Sequence, residues 1–146
     1  MDVEKTIIEL SKAKAYKAIE RMSMEMRNRR YEIRMNSSGK KVFLSVNNRS
    51  KLLATLYHCM IHQESSAKVW TIDVYSGESI GVDLTVTQMQ SIVSILDKKN
   101  DDIDKMVSKY YKKIREYKSL KELRLVLTEI IDMHEYEAKR YYRSME

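Results

Sequence analysis

Between Met89 and Tyr117 the apolar positions fall into two interleaved series with a period of seven. Met89, Leu96, Ile103, Tyr110 and Tyr117 form one; Val93, Asn100, Val107 and Ile114 form the other. Such a repeat places one apolar seam along a long helix. Asn100 is the one non-aromatic polar residue in it, and an amide at such a position is a known device for setting register and oligomer state. Ser119 and Glu122 have capping-box spacing, so the helix is expected to break near Lys118 and restart through Leu120, Leu123, Leu127 and Ile130. A helical hairpin would satisfy the seam within one chain, and a coiled coil would satisfy it between chains. The expectation is a homo-oligomer built on this seam.

The rest of the chain changes period twice. Ile8, Ala15, Ile19, Met22 and Met26 trace a narrow apolar stripe on an N-terminal helix. From Tyr31 the period drops to two: Tyr31, Ile33 and Met35, turn residues Asn36-Ser37-Ser38-Gly39, then Val42, Leu44 and Val46 read as a β-hairpin. Asn47-Asn48 offers a cap for a central helix, with Leu52, Leu53, Leu56 and Met60 as its buried face. Trp70, Ile72 and Val74 then alternate with polar residues, and Ser76-Gly77-Glu78-Ser79 turns the chain into Ile80, Val82 and Leu84. Thr85 and Gln88 form a second capping box that starts the long helix. The predicted class is α+β: two β-hairpins with a central helix, a long N-terminal helix, and a C-terminal helical hairpin or coiled coil. By element type it divides into an N-terminal helix (1–30), a hairpin-helix-hairpin module (31–88) and heptad-bearing helices (89–146). Trp70 and Phe43 are the expected core anchors.

Composition supports helices: 146 residues include no Pro and three Gly. A single Cys excludes an internal disulfide framework, and no apolar run approaches the roughly 18 residues that span a bilayer. The formal charge of +6 is uneven, residues 1–67 carrying 13 Lys and Arg against 7 acids. Its centre is the set Arg27, Arg29, Arg30, Arg34, Lys40, Lys41, Arg49 and Lys51, interleaved with Tyr31 and Phe43. Cations among aromatic faces suit a single nucleic-acid strand or an acidic protein partner. His58 and His62 have zinc-ligand spacing, but no third ligand accompanies them. Cys59 has no orienting acid, and the carboxylates of Asp97, Asp101, Asp102 and Asp104 sit on a charged helix face. No catalytic residue, cofactor or metal is expected, and the chain is read as non-enzymatic.

The order of segments KAKAYKAIERM, GKKVFLSVNNRSKLLATL, KVWTIDVYSGE, VDLTVTQMQSIVSIL and YYKKIREYKSLKEL carries one further signal. Anchored on Phe43, Ser50, Trp70, Leu84, Thr85 and Gln88, it resembles a domain family of uncharacterised activity. That family occurs in bacteriophage tail-fibre-associated and tail-assembly proteins. The resemblance spans about residues 11–125 and departs from the family at Asn47-Asn48, where an Asp is usual. It implies a structural or assembly role in a phage tail, through contacts with other tail or virion proteins. The location would be the virion, or the host cytoplasm during assembly. The alternative is a small basic phage protein that binds nucleic acid through residues 27–51. No membrane partner is expected.

Overall fold

The computed structural model describes residues 2–35, 38–138 and 142–144, with backbone alone for 133–138 and 142–144. The elements run α1 (Val3–Asn28), β1 (Tyr31–Met35), β2 (Lys41–Leu44), a 3-10 turn (Val46–Asn48), α2 (Arg49–Ile61), β3 (Ser66–Ile72) and β4 (Ser79–Thr85). Then follow α3 (Val86–Glu116), α4 (Leu120–Ala138) and a short β5 (Tyr142–Ser144). The α+β class, both hairpins and the long terminal helices stand as the sequence predicts. Asn36 and Ser37 of the first expected turn lie outside the described residues.

By packing, the chain forms two units that cut across the element-by-element division. One takes α1 up to Met26 with α3 from Asp101 and α4; the other takes Arg27–Asn100 with β5. The first is a helix trio. Ala15, Ile19 and Met22 of α1 are buried, as are Ile103, Met106, Tyr110 and Ile114 of α3 and Leu123, Val126 and Ile130 of α4. Lys113 pairs with Glu129 at 3.3 Å, so α4 folds back along α3. The Tyr16 and Tyr111 rings meet edge to face at 5.2 Å, and Lys12 Nζ donates to the Arg115 carbonyl at 3.0 Å. The helix break near Lys118 is sharp because Ser119 Oγ accepts from Glu122 N at 3.2 Å and Glu122 Oε2 accepts from Lys118 N at 3.3 Å.

The second unit holds two separate antiparallel hairpins and α2 around one core. In β1–β2, Tyr31 faces Leu44, and Ile33 faces Val42; β5 pairs in parallel with β1. Ile33, Met35, Val42 and Leu44 pack with Leu52, Leu56 and Cys59 of α2, Leu84 of β4, and Met89, Ile92, Val93 and Leu96 of α3. Cys59, not Met60, completes the α2 face. At about 100° per residue Cys59 stands about 20° from Leu52 and Met60 about 80° away, and Met60 is left 52% exposed. The 3-10 turn that leads into the central helix is capped by Ser45, whose N–H donates to Asn48 Oδ1 at 2.8 Å. The second capping box is reciprocal: Gln88 N donates to Thr85 Oγ1 at 3.1 Å, and Thr85 N to Gln88 Oε1 at 3.0 Å.

This box sets the phase of the second hairpin. With Leu84 buried just before it, Ile80, Val82 and Leu84 face inward, and cross-strand partners share a face. Their partners are Thr71, Val69 and Ala67. Trp70 therefore falls on the outer face opposite Gly81, and Ile72 opposite Ser79. The expected core anchor Trp70 is 62% exposed, a reversal of the phase read for that strand; Phe43 is fully buried. Val74 belongs to the turn, where Asp73 Oδ1 accepts from Tyr75 N at 2.8 Å and Gly77 adopts φ +73.

Candidate binding site

The outer face of β3 displays what a strand usually hides. Trp70 and Ile72 project from it, and Val74 and Tyr75 extend the apolar surface into the turn. The surface is held in place. Tyr75 packs edge-on against the buried Phe43 ring at 5.9 Å, and Asp73 N donates to the Glu78 carbonyl at 2.9 Å across the turn. Lys40 Nζ ties the first hairpin to the second through the Asp83 carbonyl at 2.6 Å.

Beside Trp70 lies a cleft of about 120 Å³ between β3 and the first turns of α2. Leu44, Leu52 and Val69 give it apolar lining, Asn48 and Thr55 give polar groups, and Trp70 contributes its indole. Arg30, Lys51 and Lys68 bring three cations, and among the described residues no carboxylate lines it. Arg30 is held by a 3.0 Å bond from Nη1 to the Phe43 carbonyl, and Lys68 Nζ stands 5.9 Å from the Trp70 ring centroid. Among the described residues Lys51 has no acidic partner. Gly81 makes room for the indole.

The eight basic residues singled out in the sequence separate on folding. Arg30 and Lys51 reach this cleft. Arg34 and Lys41 flank Glu32, at 3.0 Å and 3.6 Å, and neutralise its buried carboxylate. Arg49 pairs with Asp97, Arg27 Nε donates to Asn100 Oδ1 at 3.1 Å, and Lys40 is bonded as above. Arg29 is half-buried and engaged. The set is a group of structural pairs with two members at a site, not one continuous track. Lys68, which completes the cleft, falls outside the set; its position opposite Asp83 and two residues before Trp70 is the signal that would have found it.

The heptad seam goes inside the chain. Met89, Val93 and Leu96 enter the core of the mixed unit; Ile103, Tyr110 and Ile114 enter the helix trio. Val107 and Tyr117 are half-buried, and Asn100 accepts the Arg27 bond. The face expected to meet a second chain is thus occupied by the chain's own residues. His58 and His62 are exposed with ring centroids 4.3 Å apart, and no third ligand joins them among the described residues. In the same residues no helix is long and apolar enough to cross a membrane.

Charge is partitioned between the units. Residues 1–26 with 101–139 carry 14 basic and 14 acidic side chains; residues 27–100 with 140–146 carry 13 and 7. The whole formal excess belongs to the unit that holds the cleft. No protein-family model matches the chain, and neither a curated protein nor a solved structure does.

Proposed function

We propose that this chain is a non-enzymatic protein-interaction module, a structural or assembly piece of a bacteriophage tail, which docks through the outer face of its second hairpin. The tail context rests on the segment order quoted above. The docking mode rests on one observation: Trp70, Ile72, Val74 and Tyr75 are all exposed on a hydrogen-bonded hairpin. Displayed aromatic and aliphatic side chains are the usual anchors of a protein interface. The burial of the heptad seam moves the expected contact surface from α3 to this hairpin.

The test is mass identification and copy number of the chain in purified particles and tail intermediates, for wild type and Trp70→Ala. Wild type is expected in one of the two, and the variant is expected to be depleted. Absence of wild type from both overturns the reading. The second reading, nucleic-acid binding through the basic residues, draws support from the charge excess of the mixed unit. It predicts instead a steeply salt-dependent shift of a random oligonucleotide.

A further inference from the structure

We infer that the cleft beside Trp70 is a carboxylate-binding site, and that the partner segment it takes is acidic and apolar in alternation. This rests on the reading of the hairpin face as a protein-docking surface and specifies the chemistry of what docks. Arg30, Lys51 and Lys68 all line a space of about 120 Å³, and among the described residues no carboxylate lines it with them. Three cations around a small cleft, none of them in a salt bridge among the described residues, favour an anion, and the volume suits a single side-chain carboxylate. Arg30 is positioned by its bond to the Phe43 carbonyl with other N–H groups left over, and its planar fork matches a carboxylate edge. Lys51 and Lys68 approach from α2 and β3.

The surroundings choose the macromolecule. Ile72 stands next to Trp70 on the same strand face, and Val74 follows in the turn. Aliphatic side chains gain by burial under a protein's apolar residues and offer little to a base or a phosphate. A polynucleotide also needs a track of cations. Beyond the cleft, the cations of the basic set are bound to Glu32, Asp97, Asn100 and the Asp83 carbonyl. A strand of alternating acidic and apolar residues meets both demands, its apolar side chains covering Trp70 and Ile72 while a carboxylate enters the cleft.

The chain has one Trp, so Trp70 emission reports on this site alone. The full chain is titrated with a blocked peptide of alternating Glu and Leu, with its Gln-for-Glu counterpart, and with oligothymidylate. The acidic peptide is expected to shift the emission and to lose affinity as salt rises. The Gln peptide should bind about tenfold more weakly, the order expected for losing a charge-assisted hydrogen bond. A Lys51→Gln/Lys68→Gln variant, checked for unchanged thermal unfolding, should show the same loss with the acidic peptide. Equal response to both peptides, response to oligothymidylate alone, or no response at millimolar acidic peptide each overturns the inference. Particle incorporation separates the two levels. If Trp70→Ala is depleted from particles while Lys51→Gln/Lys68→Gln is retained, the docking surface stands and the carboxylate site falls. If Trp70→Ala is incorporated normally, the docking surface falls as well.

Discussion

Trp70 lies across Gly81, closely enough that a β-carbon at position 81 would stand 3.1 Å from the indole Cη2 and 2.9 Å from Lys68 Cδ. Glycine inside a strand commonly marks such an approach. Here it lets a large aromatic ring lie against the sheet on its solvent side. Gly81→Ala is expected to move the indole and the Lys68 stem, and to change Trp70 emission. Stability should shift by less than about 1 kcal/mol, because the displaced atoms are exposed and able to give way. Emission spectra and urea unfolding on the same sample check both halves.

Thr85 and Gln88 satisfy each other's backbone N–H groups where β4 becomes α3. Thr85→Ala removes one side of the box and should cost about 1 kcal/mol, while Thr85→Ser keeps the hydroxyl and most of the stability. Denaturant midpoints of the three proteins give the comparison. Equal midpoints for the Ala and Ser variants would rule the cap out as a contributor.

The Thr71 hydroxyl is buried with no hydrogen-bond partner among the described residues, on the strand face that covers the core. Thr71→Val replaces it with a methyl of similar shape and removes a polar group that folding leaves unsatisfied. The variant should be as stable as wild type or more so, by up to about 1 kcal/mol. A clear loss of stability would show that the hydroxyl has a partner after all.

Burial, followed by the nearby Glu129 carboxylate, pushes the Tyr110 pKa from 10.0 up to about 12. Below about pH 10 both folded and unfolded chains keep the phenol proton, and stability is independent of this group. Between about 10 and 12 the unfolded chain releases the proton and the folded chain retains it, so stability falls as pH rises. Tyr111, raised by burial and by Glu20, acts in the same direction. Tyr110→Phe should flatten that decline, measured as thermal midpoint against pH from 9 to 12.

Asn100 tests the fate of the seam. In an intermolecular coiled coil, Asn100→Val would strengthen association. Because its amide oxygen accepts from Arg27 Nε at 3.1 Å, the substitution should instead destabilise the chain by about 1–3 kcal/mol. Its mass in solution should not change. Sedimentation and unfolding together distinguish the two outcomes.

What the residues announced and what they concealed have physical causes. Local chemistry was legible: the two capping boxes, the break near Lys118, the hairpins and α3 all follow from neighbours in sequence. The heptad was legible too, but a periodic apolar stripe looks the same whether its partner is another chain or α1 and α4 folded against it. The expected burial of Trp70 fails because period-two alternation identifies two faces without saying which is inward. That choice was made across the hairpin, by Leu84 and the Thr85 box, through a register no single strand contains. The cleft was half legible. Arg30 and Lys51 are visible in the sequence as cations, but only pairing and packing show which of their neighbours are already bound and that Lys68 joins them.

The partition of charge has a kinetic meaning. The unit that carries the chain's whole excess charge attracts an anionic partner before any contact forms, which biases encounters toward the unit that holds Trp70. That bias should show as an association rate that falls with ionic strength more steeply than the dissociation rate changes.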